Sequence, residues 1–399
     1  NVDSLSYGKL SLSEEMSRTN NAGYVFSYKL ASREASFRDF GFTQQSEGID
    51  VQPTDLNYPE DRNNFNTKLT YDIPLFTGFK LSNQKDILKL QEKANNIKYN
   101  LDVKELEFEV LKAYNSAVVA KDFIKALEKA KEAIVFMRNA AMAFHKEGLV
   151  TKIDVNEAKV YEANINSQLL ESKNNFQLAL AYLSFLSSDE TITDVQELKN
   201  LYFKFPNEKE LYTQALENRD EVKMQDIQVN ASKKNIDIAK ASYYPTVFSR
   251  LEYGYNDNTL TVDTDKDYYM AMVGISITLF DNTRSIEKQK SQIEYQKASL
   301  NQEKLKDAIK LELKKAMLNL ETKEKVLEEK IEAKTLANDI LEQAELQYKN
   351  RLISMTTLLQ QEANFRKNEA LLIQAKYEKS LALASLNLVL GKNIKEENN

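Results

Sequence analysis

Val110, Ala113, Ala117, Ala120, Ile124, Leu127, Ala130, Ile134, Met137, Ala141 and Phe144 recur through a stretch that ends in His145-Lys-Glu-Gly-Leu-Val-Thr-Lys-Ile-Asp154. Their spacing averages about 3.4 residues, close to a coiled-coil seam, and no proline or glycine interrupts the chain from Leu81 to Phe144. A second row, Leu111, Tyr114, Val118, Ala126, Ala133, Phe136, Ala140 and Ala143, runs beside the first. A helix with two apolar rows has neighbours on both sides, like a stave in a wall. At about 1.5 Å per residue, Leu81 to Phe144 extends roughly 100 Å, several times the ~30 Å of a bilayer core. Gly148 reverses the chain, and Thr151-Lys-Ile-Asp154 resembles a capping box that opens a return helix to about Leu186.

Outward from this hairpin the periodicity changes. Before it, Phe65, Leu69, Tyr71, Ile73 and Leu75 alternate with Asn66, Lys68, Thr70 and Asp72, so one face suits lipid and the other water. An earlier strand is expected near Ser4 to Leu12, followed by a long polar loop containing Pro53 and Pro59. After the hairpin the plan repeats. A helix from Asn207 to about Ser242 leads into a strand with Val247, Leu251, Tyr253 and Tyr255 opposite Thr246, Arg250, Glu252 and Asn256. A further strand has Tyr269, Ala271, Val273, Ile275, Ile277 and Leu279 on one face. Helices from about Arg284 to Lys349 and from about Thr356 to Leu390 follow, with a reversal at Asn350-Arg351. Ile73-Pro-Leu-Phe76 and Ile277-Thr-Leu-Phe280 lie 204 residues apart, and Leu180-Ala-Tyr-Leu183 and Leu383-Ala-Ser-Leu386 lie 203 apart. A near-constant offset across different elements indicates internal duplication. The chain thus divides into a strand pair with its loop (1–78), a helical hairpin (79–186), a connector (187–206), a helix (207–243), a second strand pair (244–281), a second hairpin (282–390) and a tail (391–399).

Composition narrows the function. Charged residues are 29% of the chain, yet the net charge is only -6 and no basic block stands out, which argues against nucleic acid as a partner. There is no cysteine, hence no disulfide or thiolate metal site. No run of 18 apolar residues exists, so no transmembrane helix is expected, while a membrane β-barrel stays allowed because its strands alternate. The chain contains no Ser/His/Asp set, phosphate-binding glycine loop or metal-ligand spacing, so neither an enzyme nor a cofactor is expected.

Four amphipathic strands per chain cannot close a barrel in lipid, where open edges are not tolerated and at least about eight strands are needed. The chain must oligomerise. Two copies would give a barrel filled by side chains, and three a twelve-stranded barrel with room for water. Twelve helical staves spaced about 10 Å apart would ring a bore of roughly 25 to 30 Å. The expected class is mainly α with transmembrane β: antiparallel coiled-coil hairpins forming an α-barrel, and four strands joining a trimeric β-barrel. The rival from another class is a soluble coiled-coil scaffold with a small β cap, which gives no reason for strands to be apolar on one face and charged on the other.

Several pieces in order resemble the TolC family of outer-membrane efflux and secretion channels. They are Leu69-Thr-Tyr-Asp-Ile-Pro-Leu-Phe-Thr-Gly78, Gly148-Leu-Val-Thr-Lys-Ile-Asp-Val155, Ala239-Lys-Ala-Ser-Tyr-Tyr-Pro-Thr246 and Val273-Gly-Ile-Ser-Ile-Thr-Leu-Phe280. The similarity covers nearly the whole chain. It implies a homotrimer in the outer membrane of a Gram-negative bacterium, extending into the periplasm, where a periplasmic adaptor (membrane fusion protein) and an inner-membrane transporter complete the export path. The family also has a helix before its first strand, so about 40 further upstream residues are expected, by analogy with Asn207 to Ser242.

The same resemblance assigns the sites. Asp154 and Tyr348 match a hydrogen-bonded pair that holds the helix tips shut, although Asp154 reads equally well as a helix cap. Thr357 and Gln360 stand where the family has its narrowest, acidic ring, which implies an uncharged ring with weaker cation binding; Glu362 lies nearby. Gly148, Leu149 and Val150, with Leu352 and Ile353, form two apolar tips that the family uses to dock the adaptor; the plainer reading is that they only close their turns. Arg351 takes the family's glycine position, and Asn350 is expected to supply the left-handed residue there. His145, the only histidine, reads as a surface residue at a helix C-terminus. The aromatics Phe65, Tyr71, Tyr253, Tyr255, Tyr268 and Tyr269 fit an interfacial girdle or simple strand propensity. Asp257, Asp263, Asp265 and Asp267 match no calcium loop and are expected to face solvent.

Overall fold

A computed structural model describes residues 4, 6–197, 207–261 and 263–392. The end of the connector (198–206) and most of the tail (393–399) lie outside the described residues. In order, the elements are β1 (Lys9–Thr19), α1 (Ala22–Ala31), a short α2 (Thr54–Asn57), β2 (Arg62–Thr77), α3 (Lys80–Lys146), α4 (Lys152–Ser187), α5 (Glu208–Asn218), α6 (Asp220–Lys240), β3 (Thr246–Asp257), β4 (Asp267–Ser276), α7 (Thr283–Lys349) and α8 (Met355–Val389). The duplication is plain in their lengths: α3 and α7 have 67 residues each, α4 has 36 and α8 has 35. The chain divides into two compact units, one formed by residues 1–93 and 227–299, the other by 94–226 and 300–399.

The first unit is built on one antiparallel sheet of order β1-β2-β3-β4. Its register aligns like with like across all four strands. Leu12 faces Leu69, Leu69 faces Tyr253, and Tyr253 faces Tyr269; one step along, Leu10, Tyr71, Leu251 and Ala271 form the next row. Since side chains alternate with period two, a slip of one residue in β2 or β3 would put charges among these rows. The opposite face carries Lys68, Asp72, Arg250 and Glu252, with Arg250 Nε donating to Asp72 Oδ1 at 2.6 Å. The apolar face stands exposed, with Leu12 at 74% and Tyr269 at 85%. Pro74 sits beside a shift in register between Pro74 and Phe76, a place where the missing N–H is tolerated. Gly78 then turns the chain into α3 at φ 61°, where a Cβ would meet the Ala241 carbonyl oxygen at 2.6 Å.

Three strand readings need correction. β1 spans Lys9–Thr19 rather than Ser4 to Leu12, because Gly8, left-handed at φ 80°, turns the chain and pairing with β2 carries on through Glu14 and Glu15. β4 stops at Ser276, short of Ile277 and Leu279, because its partner β3 begins at Thr246, directly after Pro245. Tyr268 lies on the polar face, its hydroxyl 2.8 Å from Glu252 Oε1, and so leaves the aromatic girdle.

The loops at one end of this sheet also differ from expectation. The segment between β1 and β2 contains α1, capped by Asn21, whose Oδ1 accepts from Gly23 N–H at 3.1 Å. Asp257 is buried rather than exposed. It accepts from Lys266 Nζ at 2.8 Å and Thr261 Oγ1 at 2.6 Å, and Lys266 also donates to Glu34 Oε1 at 2.5 Å.

The second unit is helical. Ala113 and Ala117 of α3 pack with Leu180 and Leu183 of α4, and small side chains let the two helices approach closely. Leu211 and Ala215 of α5 pack against Ile309, Leu313 and Leu320 of α7 and Leu386 of α8. The helix expected from Asn207 to Ser242 is broken at Arg219, which is extended at ψ 126°. Asp220 and Glu221 restart it with acidic residues in the first turn, where the helix dipole favours them. At the break, the Arg219 guanidinium donates to Glu312 Oε2 at 2.6 Å and to Glu221 Oε1 at 2.8 Å.

Candidate functional site

Both hairpins end in the same turn. Gly148 and Arg351 are left-handed, at φ 72° and 63°. Gly148 N–H donates to His145 O at 2.9 Å and Leu149 N–H to Phe144 O at 2.8 Å; Arg351 N–H donates to Tyr348 O at 2.9 Å and Leu352 N–H to Gln347 O at 2.8 Å. This is the bond pattern of a Schellman C-cap, which requires a left-handed residue at this position. Arg351 therefore takes that conformation itself, and Asn350 does not; the Asn350 amide donates back to Leu346 O at 3.0 Å. The Arg351 guanidinium lies 5.9 Å from the centroid of the Phe144 ring, which joins the second tip to the first. Leu149 and Leu352 are exposed, while Val150 and Ile353 are half-buried, and Ile353 packs on the core beneath. His145 Nδ1 lies 3.0 Å from Val150 O and braces the first turn.

The return helices are capped in parallel. At α4, Thr151 Oγ1 and N–H donate to Asp154 Oδ2 at 2.6 and 2.9 Å, and Asp154 N–H closes the box on Thr151 Oγ1 at 3.4 Å. These bonds, the Thr151 hydroxyl first, hold the Asp154 carboxyl below its ordinary pKa against the opposing effect of burial. At α8, Ser354 is the cap, and Thr357 stands where Asp154 stands in α4, donating its N–H to Ser354 Oγ at 3.2 Å. Thr357 and Gln360 are both exposed on α8, three residues apart and so on the same side of the helix.

Beneath the turns, Ile134, Met137 and Ala141 of α3, Val155 and Ala158 of α4, Leu341 and Tyr348 of α7, and Met355 and Leu358 of α8 form one core. Tyr348 is only 6% exposed, and its hydroxyl has no hydrogen-bond partner among the described residues. Burial pushes its phenol up, and the charge of Asp154 adds to the effect. The two residues are thus electrostatic neighbours without a bond between them: Asp154 is engaged by its own cap.

The family model for outer membrane efflux proteins matches residues 211–392. Among solved structures, a membrane protein from Pseudomonas aeruginosa superimposes with a TM-score of 0.76 at 14% identity, covering 98% of this chain and 83% of that one. The outer membrane protein VceC from Vibrio cholerae gives 0.75 at 15% identity, covering 98% and 89%. The CmeC outer membrane channel of Campylobacter jejuni gives 0.74 at 15% identity, covering 99% and 82%. Over residues 211–392 the sequence matches that family of outer membrane efflux proteins, and over nearly the whole chain the fold is that of these outer-membrane channels. No curated protein matches it in sequence.

The sequence offers little sign of one further feature of the tip. Glu362 has no exposed surface. Arg366 Nε donates to its Oε1 at 2.6 Å, and the Tyr161 hydroxyl of α4 donates to Oε2. Arg366 also donates to Ala126 O of α3 at 2.8 Å and to Glu369 Oε2 at 2.7 Å. Glu362 therefore joins α8 to α4, and Arg366 joins it to α3. The one sequence signal is the i, i+4 spacing of Glu362 and Arg366, which is equally common on solvated faces. Among the described residues, no group of three or more His, Cys, Asp or Glu side chains could hold a metal ion.

Proposed function

We propose that three copies of this chain close a twelve-stranded barrel and a helical tunnel, forming the exit duct of a tripartite efflux or type I secretion system. The observation that carries the reading is the sheet. β1 and β4 each have a neighbour on one side only, and one face is apolar across all four strands. Unpaired edges beside a lipid-facing surface are satisfied when β4 of one copy pairs with β1 of the next.

In this reading the duct is passive and gated at its periplasmic tips. The closed state is held by a bond between the Tyr348 hydroxyl and Asp154, which the two residues do not make within the single chain, and Thr357 and Gln360 line an uncharged constriction. Gly148, Leu149, Val150, Leu352 and Ile353 form the surface on which a periplasmic adaptor docks, with an inner-membrane transporter supplying the energy. The exposure of Leu149 and Leu352, at 43% and 73%, supports the docking role. Single-channel recording of the full-length protein in planar bilayers tests the proposal. Discrete openings that become more frequent with Asp154→Ala and Tyr348→Phe support it; failure to insert, with a soluble rod seen by scattering, overturns it.

A further inference from the structure

A groove of about 530 Å³ lies between α3 and α7 near the tips, walled by Phe136 and Phe144 from one helix and Glu342, Glu345 and Tyr348 from the other, with Leu358 of α8 alongside. Its volume falls in the range of about 300 to 1,000 Å³ typical of small-molecule sites. Phe136 is 76% exposed, an aromatic surface that the packing of the tip core leaves unused. Lys349 also lines this wall, but among the described residues neither Glu342 nor Glu345 forms an ion pair with it. Among the described residues Glu342 accepts only from the Asn338 amide, at 2.7 Å, and Glu345 has neither an ion pair nor a side-chain hydrogen bond. Burial, then repulsion from Glu342 and Glu362, pushes the Glu345 carboxyl up, as expected of a carboxylate lacking a cation. Phe144 already receives a cation on its ring, the guanidinium of Arg351.

We propose that this groove binds amphipathic organic cations, with the apolar body against Phe136 and Leu358 and the positive nitrogen facing Glu345 and Glu342. Aromatic faces beside unpaired carboxylates favour a lipophilic cation over a neutral molecule of the same shape. A small inorganic cation would gain nothing from the rings. An occupant touching α3, α7 and α8 ties together three of the helices that meet at the tip, so binding favours the arrangement seen here.

The experiment is a titration of ethidium with the detergent-solubilised full chain, followed by fluorescence polarisation; the absence of tryptophan keeps the protein's own emission low. Saturable binding is expected, weakened about tenfold by Glu345→Gln and about three- to tenfold by Phe136→Ala. Glu321→Gln, at an exposed carboxylate of α7 that pairs with Lys325, should leave it unchanged. Equal binding by Glu345→Gln and the parent protein overturns the proposal, as does equal competition by an uncharged phenanthridine. Because the chain has no cysteine, Phe136→Cys provides an independent check. Maleimide labelling of the assembled protein should be rapid and slowed by ethidium, whereas protection without ethidium would assign the groove to an interface between copies. None of these readouts involves conduction, so their failure leaves the duct proposal standing, and failure of the duct proposal leaves them interpretable.

Discussion

Gly148 and Arg351 hold one backbone conformation at two tips 203 residues apart, although only one of them is a glycine. The turn, rather than the residue, fixes the conformation: each accepts it because the same pair of backbone bonds closes around it.

The cost of that conformation can be measured at each tip. A Cβ at Gly148 would meet nothing within 4 Å, so Gly148→Ala should lower stability by about 1 kcal/mol through φ alone. At Arg351, replacement by glycine relieves a similar strain but removes the guanidinium from the Phe144 ring, a contact of about 0.5 to 1 kcal/mol. Arg351→Gly should therefore be nearly neutral, while Arg351→Ala loses the ring contact and keeps the strain. Thermal unfolding in detergent distinguishes the three.

Asp154 can be tested as cap and as gate separately. Its folded pKa is depressed, so its stabilising effect is present above the ordinary aspartate pKa and is lost as pH falls through the depressed value. Asp154→Asn should flatten stability in that acid window and cost about 1 kcal/mol at neutral pH. Thr151→Ala removes the cap and leaves the carboxylate in place. If Asp154 serves only as a cap, Thr151→Ala and Asp154→Ala alter channel opening alike and Tyr348→Phe does not; if it also bonds Tyr348, then Tyr348→Phe increases opening and Asp154→Ala increases it more than Thr151→Ala does.

At the loop end of the sheet, Lys266 lies between Glu34 and Asp257, and Arg33 donates to the Asp265 and Asp267 carbonyls at 2.7 and 2.8 Å. Burial would raise the Glu34 pKa, but hydrogen bonds from Lys266 and Arg62 prevail and lower it. Lys266→Met should leave two carboxylates facing each other and cost roughly 1 to 3 kcal/mol locally. Faster amide exchange around residues 22–40 and 263–267, with exchange in α4 and α8 unchanged, is the expected result. Because the Glu34 pKa is depressed, its contribution is complete above the ordinary glutamate pKa and fades as pH falls through the folded value.

The long helices and both reversals were legible because their pattern is sustained for many turns. The apolar faces of the strands were legible because they alternate without competition. What escaped the sequence depended on partners remote in the chain. The start of β1 rests on the turn at Gly8, and the end of β4 on where β3 begins. The break at Arg219 depends on Glu312 of another helix. Glu362 could be placed only near the expected constriction, and its contact with Tyr161, 201 residues away, reveals its burial.

That buried acid yields the sharpest contrast between structure and gate. Removing Glu362 leaves the Arg366 guanidinium half-paired in a nearly closed site, where its side chain is 15% exposed. Breaking such a pair from one side costs about 3 kcal/mol or more, while replacing both partners by apolar residues of similar size can be neutral. Glu362→Ala should therefore destabilise far more than Glu362→Leu combined with Arg366→Met, and Tyr161→Phe should cost about 1.5 kcal/mol for a bond to a charged acceptor. Since Glu362 has no surface, Glu362→Gln should leave the cation selectivity of the open channel unchanged. Thr357→Asp places a carboxylate on the exposed side of α8 and should increase that selectivity. Reversal potentials in a salt gradient read both variants, and a selectivity change with Glu362→Gln alone would mean that this side chain reaches the lumen in the open state.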